Sequence, residues 1–363
     1  MQTVLLNLHS ISLTQFKNYS FQSFSFEKRI VGICGNNGVG KTNLLDAIHY
    51  LCFTKSYFTR DNLNAQNGKQ GFRVEGELKL SDRFENAVCI LRETSKKEFS
   101  VNGVAYEKFS EHIGRYPCVI IAPDDIQIIT GSTGERRRFL DALLSQLDAD
   151  YLRSLITYNK LLLQRNSLLK NLNESRTKDH SLLDVLDEQL TKPGEYIFEK
   201  RKKFLIAFLP EARKLYLEIA KKAEDIILLY QSELLQCTFS ELLKLNRHRD
   251  LSAQRTAGGI HRDDLVFTLD NQPFKHIASQ GQRKSLLFAL KLAEVDVLKE
   301  NKGFPPFILL DDVFEKLDEE RIANLLQRVC VENEGQIFIT DTNEERLRQH
   351  LDELSVVYQL INL

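Results

Sequence analysis

Eight residues constrain this chain more than any others. Gly35-Asn36-Asn37-Gly38-Val39-Gly40-Lys41-Thr42 has the spacing G-x-x-x-x-G-K-T. The apolar run Ile30–Cys34 precedes it and a helical pattern at Leu44, Leu45, Ile48 and Leu51 follows, so strand, loop and helix come in the order a phosphate-binding loop requires. Glycines let the backbone curl until its N–H groups face inward, and the helix N-terminus adds positive potential. Lys41 is then expected to reach the terminal phosphates, Thr42 to ligate Mg²⁺, and Asn43 to complete the candidate contact set. Such a loop belongs to an α/β fold, but by itself it does not separate a kinase from a transport motor or a DNA-associated ATPase.

Two other segments carry the chemistry the loop needs. Phe307-Ile308-Leu309-Leu310-Asp311-Asp312 is four apolar residues ending in two carboxylates, the pattern of a buried parallel strand emerging beside a phosphate loop. Read alone it is equally a solvated turn. Coupled to Gly35–Thr42, Asp311 is the expected Mg²⁺ ligand, and Asp312, on the other side of the strand end, is placed to orient or deprotonate an attacking water. Lys41, Asp311 and Asp312 are therefore the candidate catalytic residues. Ser279-Gln280-Gly281-Gln282 opens a helical pattern through Leu286, Leu287, Leu290 and Ala293. It reads as a capping box, Ser279 accepting from the N–H of Gln282, and as a helix end able to hold a phosphate.

Between these motifs the texture changes. Strand-like spacing runs from Leu6 to Phe26, over Gly71 to Arg92 and Glu98 to Tyr106 with an Asn102-Gly103 turn, and ends at Cys118 to Ala122. Then Glu135 to Leu172 and Leu182 to Tyr230 return apolar positions every three or four residues, which predicts helices. Lys192-Pro193-Gly194 and Pro210 interrupt the second stretch, predicting several helices packed as hairpins. Strand and helix texture resumes at Gly258: Leu265 to Leu269, a helix Gln280 to Lys299, Phe307 to Leu310, a helix Glu319 to Cys330, and Gln336 to Thr340. The expected organisation is an α/β head in two parts, residues 1–133 and 258–363, with a helical arm at 134–257.

At 363 residues and 42% hydrophobic content two cored domains are affordable, and 49 lysines and arginines against 50 acids give a net charge of −1, so any nucleic-acid surface has to be a local patch. The six cysteines form no Cys-x-x-Cys pair, and no apolar stretch approaches about 18 residues. A cytoplasmic protein with reduced thiols is expected, with no membrane partner.

Ser279–Gln282 resembles the signature motif of ABC-type ATPases, and the order loop, inserted arm, signature, acidic strand resembles SMC-type ATPase heads with their mixed sheets. Within that group the chain is similar to the RecF family of recombination mediators. The segments that carry the likeness are Phe16-Lys17-Asn18-Tyr19, GNNGVGKTNLLDAI, Ser56 to Asp61, Pro123-Asp124-Asp125 with Gly131-Ser132, Arg136 to Asp141, Gly259 to Asp264, SQGQRKS, and LLDDV with Leu317-Asp318. The resemblance implies a weak, DNA-stimulated, Mg²⁺-dependent ATPase. It also implies a homodimer closed by ATP, the signature of one copy meeting the γ-phosphate on the other. Such a dimer binds double-stranded DNA near single-strand gaps and helps RecO and RecR to load RecA, with links to replication restart and the SOS response. Three positions depart from the family pattern: Ile260 stands where proline is common, Glu315-Lys316 where a serine-containing D-loop is common, and Phe338 to Thr342 where many ABC ATPases place a histidine. Gln127 is the nearest match to a Q-loop glutamine.

Basic clusters at Arg136, Arg137 and Arg138 are the candidate DNA contacts, in a salt-sensitive mode indifferent to base identity. Lys200 to Lys203 reads as a solvated helix face, and His261 with Asp263-Asp264 lacks a third metal ligand. An ABC-type transport ATPase subunit is the alternative that shares loop and signature, but it usually has a much shorter insert.

Overall fold

The computed structural model describes residues 4–175, 180–221, 224–314 and 319–363; the Glu315-Lys316 departure and Leu317-Asp318 lie outside them. In chain order, β1 (Leu6–Phe16), β2 (Tyr19–Ser25) and β3 (Ile30–Cys34) lead into α1 (Lys41–Phe53). Strands β4 (Phe72–Leu80), β5 (Arg83–Leu91), β6 (Lys97–Val101), β7 (Val104–Ala105) and β8 (Cys118–Ile121) follow. Then come α2 (Gln127–Thr130), α3 (Thr133–Leu147), α4 (Ala149–Ser175), α5 (Ser181–Ala220), β9 (Ile226–Gln231), α6 (Phe239–Ala253), β10 (Asp264–Leu269), β11 (Gln272–Pro273) and α7 (Phe274–Ile277). The last part holds α8 (Gln280–Lys302), β12 (Phe307–Leu310), α9 (Glu319–Leu326), a π-helical turn Gln327–Val331, β13 (Ile337–Asp341), α10 (Glu344–Glu353) and β14 (Tyr358–Asn362).

The first compact unit contains residues 1–125, 218–221 and 280–363. Its centre is a parallel sheet in the order β14-β3-β13-β12-β8. Strands β3, β8, β12 and β13 are buried at every residue, as unbroken apolar runs become when both faces of a parallel sheet are covered. A second, antiparallel sheet runs β2-β1-β4-β5-β6-β7. In β1 the buried residues switch from Leu6 and Leu8 to Ile11 and Leu13, because a bulge between Leu8 and Ser10 adds one residue against β4. Helix α1 touches β4 and β5 of this sheet and β8 and β13 of the other. That double contact explains why Leu44, Leu45, Ala47, Ile48, Tyr50 and Leu51 are all buried, well beyond one amphipathic stripe.

The second unit contains residues 126–217 and 222–279. It joins α3 to α6 with a small antiparallel sheet, β11-β10-β9. The boundaries fall at 125/126 and 279/280, against the expected 133/134 and 257/258, and the second differs because the strand texture after Gly258 does not return to the head: β10 pairs with β9 in register Asp264↔Gln231 to Leu269↔Ile226. Strand β9 itself falls inside the stretch whose leucine spacing predicted helix. Helix α5 is a second difference, since it runs unbroken through Pro193 and Pro210. A proline inside a helix costs about 3 kcal/mol, and the buried stripe Leu183, Leu190, Ile197, Phe198, Leu205, Phe208, Leu209, Ala212, Leu215 and Tyr216 offsets that many times over.

Buried charge organises this unit. Arg201, inside the segment expected to be a solvated face, is 1% exposed and donates to Asp141 Oδ1 and Asp263 Oδ2, each at 2.7 Å. Arg165, wholly buried, donates to Asp187 at 2.6 Å and Asp250 at 2.7 Å. His261 Nδ1 sits 2.7 Å from the Tyr158 hydroxyl and Nε2 3.1 Å from the Thr256 carbonyl, and burial pulls its pKa down to about 4. It is a neutral, partly buried histidine, and among the described residues no group of three or more His, Cys, Asp or Glu could hold a metal. Nor is any described helix long and apolar enough to cross a membrane.

Candidate nucleotide site

The site is assembled in the first unit from the C-terminal ends of β3, β12 and β13. After β3 the backbone turns through positive φ at Gly35, Gly38 and Gly40 before α1 begins at Lys41. At Gly40 a side chain has no room: a Cβ would lie 2.6 Å from Asn18 Nδ2 and 2.7 Å from the Tyr19 hydroxyl. Those two residues hold the loop from outside. Asn18 Nδ2 donates to the Val39 carbonyl at 2.8 Å, Tyr19 Oη to the Gly40 carbonyl at 3.0 Å, and Asn43 Nδ2 to Asn18 Oδ1 at 2.7 Å. Lys17 pairs with the fully buried Asp46 of α1 at 2.5 Å, and Asp46 also accepts from the Ser56 hydroxyl (2.6 Å) and the Tyr57 N–H (2.7 Å). The brace thus comes from the β1–β2 turn and the segment after α1.

Within the loop the Lys41 ammonium donates to the Gly35 carbonyl at 2.8 Å and the Asn36 carbonyl at 3.1 Å, which lays it along the cradle. Thr42 Oγ1 donates to both oxygens of Asp311, at 3.0 and 3.1 Å. Strand β13 lies between β3 and β12 in the sheet, and its Thr340 closes the gap. The Thr340 hydroxyl donates to Asp311 Oδ1 at 2.9 Å and accepts the Asp312 N–H at 2.9 Å. Asp312 itself stands at φ 43°, turning the chain out of the strand. Burial pushes the Asp311 carboxyl up to about 6, against the Thr340 and Thr42 hydroxyls, which favour its ionised form. A buried carboxylate flanked by two hydroxyls is a hard oxygen donor set that suits Mg²⁺, and the glycine-rich loop with Lys41 suits the phosphates that would share it.

Lys41, Thr42, Asp311 and Asp312 are therefore brought together as the sequence suggests, and Asn43 lies behind them against Asn18. Gln280–Gln282 form the first turn of α8, directly after Ser279. A Cβ at Gly281 would come within 2.6 Å of an Arg321 guanidinium nitrogen, so glycine there lets α9 reach the signature; Arg321 Nε also donates to the Ser285 hydroxyl at 3.1 Å. Gln127 opens α2 in the second unit. Thr340, Asn18, Tyr19 and Asp46 are the site residues that sequence reasoning gave no role. Asn18 and Tyr19 lie in a segment similar to the RecF family, but nothing local to them indicates contact with a loop twenty residues on.

The arginine cluster needs correction. Arg136 is 7% exposed and its guanidinium is taken up by Asp264 (2.6 and 3.0 Å) and the Gly131 carbonyl (3.2 Å). Arg137 donates to the Asp263 carbonyl at 2.7 Å and Thr133 Oγ1 at 2.8 Å. Their place on α3 turns them toward β10 and the loop before it, inside their own unit. Arg138 alone of the three is exposed, and among the described residues it pairs with Glu135 at 2.8 Å.

Comparison with known proteins identifies the family. The RecF/RecN/SMC N-terminal domain family matches residues 7–362. A relative from Flavobacterium johnsoniae, named DNA replication and repair protein RecF, is 42% identical over 99% of this chain and 100% of its own length. One of the same name from Parabacteroides distasonis is 41% identical over 96% and 93%. A solved structure of the recombination mediator RecF with ATP, in the RecFOR pathway, covers 94% of this chain and 93% of its own at 30% identity, with a TM-score of 0.86. An SMC head domain from Pyrococcus furiosus, 17% identical with a TM-score of 0.53, shares the fold. These near full-length matches set aside the transport subunit that the motifs alone left open, and the chain belongs to the RecF family within the RecF/RecN/SMC group.

Proposed function

We propose that this chain is an ATPase of DNA replication and recombinational repair, which binds Mg·ATP on the Gly35–Asn43 loop and uses it to pair with a second copy around double-stranded DNA near single-strand gaps. The observation that carries the reading is the Thr42–Asp311–Thr340 chain of hydrogen bonds, which aligns the loop with the acidic strand end across an intervening strand. Lys41 and the inward N–H groups hold the terminal phosphates, Thr42 and Asp311 hold the cation, and Asp312 orients the attacking water. Bound Mg²⁺ neutralises charge that develops on the phosphate oxygens. The Ser279–Gln282 helix end supplies N–H groups for the γ-phosphate held by the other copy, so ATP is the joint of the dimer and slow, DNA-stimulated hydrolysis releases it.

RecO and RecR are the proposed protein partners, because the similar solved structure is a member of the RecFOR pathway. The proposed place of work is the cytoplasm, at the nucleoid. Light scattering with saturating ATP and Mg²⁺ tests the reading: the wild type should become a dimer, while Lys41→Arg and Ser279→Arg stay monomeric. A wild type that remains a monomer with and without duplex DNA would sink it.

A further inference from the structure

Helix α8 carries a lysine where an apolar residue would pack more cheaply. Lys291 and Glu294, one turn apart, are each 4% exposed. The Lys291 ammonium lies 3.7 Å from Asp125 Oδ2 and 3.7 Å from Glu294 Oε2, and 6.0 Å over the Tyr57 ring. Tyr57 donates its hydroxyl to Asp125 Oδ1, and Asp125 Oδ2 accepts the Ala122 N–H at 2.9 Å. His49 of α1 adds its ring 5.2 Å from Tyr57. Tyr57 belongs to the segment that grips Asp46 of α1. Asp125 follows β8, which pairs with β12 in register Phe307↔Cys118 to Leu310↔Ile121. One ammonium thus ties the loop helix, the segment behind the acidic strand's neighbour, and the signature helix.

An apolar seam would hold α8 on the sheet but tolerate sliding. A buried ammonium facing Asp125 does not, since a slip of one turn, about 5.4 Å, carries Lys291 and Glu294 together away from Asp125 and strands its carboxylate in a low-dielectric interior. We infer that Lys291 is a positioning residue that fixes the axial register of α8, and so sets Gln280–Gln282 at the right level relative to Thr42 and Asp311 for a second copy to engage. The inference rests on the ATP-driven pairing proposed above.

Lys291→Met tests it with little loss of packing, because Asp125 keeps Tyr57 and Ala122 as donors and Glu294 can take up a proton. Fluorescent ADP should bind the variant monomer with wild-type affinity, the loop being untouched. Pairing driven by Mg·ATPγS, followed by sedimentation velocity, should weaken by about tenfold or more, and Lys291→Arg should restore part of it. Asp125→Asn should weaken pairing in the same direction, and it decides the matter should Lys291→Met not fold. Undiminished pairing in a folded variant overturns the inference, as does an equal loss of ADP affinity and pairing, the mark of general destabilisation. A wild type that stays monomeric in the same run overturns the pairing reading itself, and this inference with it.

Discussion

Glu294 holds its proton more tightly in the fold than in an open chain. Burial pushes its carboxyl up from 4.5 to about 7, with the Lys291 ammonium opposing. Its contribution to stability is therefore full below about pH 4.5 and is lost as pH rises through 7. Over the whole window that amounts to on the order of 3 kcal/mol. Glu294→Gln should remove the loss, so that melting temperature falls less between about pH 5 and about pH 8 than in the wild type; an equal fall in both would refute it. Nothing near Glu294 in the sequence announces this role, because its charged neighbour Lys291 reads as an ordinary surface pair until α8 is buried, and that of Thr340 depends on strands that are neighbours only after folding. The loop Gly35–Thr42 was legible for the opposite reason, since its spacing is local, and Asp311 was marked as a strand end by the apolar run Phe307–Leu310 before it. Arg136 shows the limit of residue type as evidence, since its charge is plain in the sequence but its partner, Asp264, is 128 positions away.

Helix α5 crosses 40 residues with two prolines inside it. Pro210 is exposed, so little but the missing N–H and the ring's clash with the preceding turn distinguishes it from alanine. Pro210→Ala should restore the bond to the Ile206 carbonyl and raise the unfolding free energy by about 1 to 3 kcal/mol, read from urea denaturation; a loss of stability would refute it. The sequence predicted a break here because proline is a local signal, whereas the stripe that keeps the helix whole is a sum over many residues. Strand β9 was missed by the converse: Ile226-Ile227-Leu228-Leu229-Tyr230 is a short apolar run, for which periodicity does not separate helix from strand. Its identity comes from β10, more than thirty residues on.

Across the molecule, a net charge of −1 leaves DNA affinity to local groups. Arg138, whose exposed pair with Glu135 is easily exchanged for a phosphate, and Arg136, whose pair is buried, should then behave differently. Arg138→Ala should lower the slope of log affinity against log salt by about 1 without moving the melting temperature, and an unchanged slope would remove it from the DNA surface. Arg136→Ala should cost about 3 to 5 kcal/mol of stability and leave the slope of the folded protein alone. The two-part head with its insert was readable from texture, though the points of crossing were not, because β9, β10 and β11 give the inserted unit a sheet of its own. That same plan fixes an order in time. Strand β3 pairs with β13 and β14, made about 300 residues after it, so during synthesis at about 5 to 20 residues per second the phosphate loop waits roughly 15 to 60 s for its sheet. Strands β1, β2 and β4 to β7, all local in sequence, can pair in that interval, and the loop's apolar strand is left as the surface that a ribosome-associated chaperone has most reason to shield.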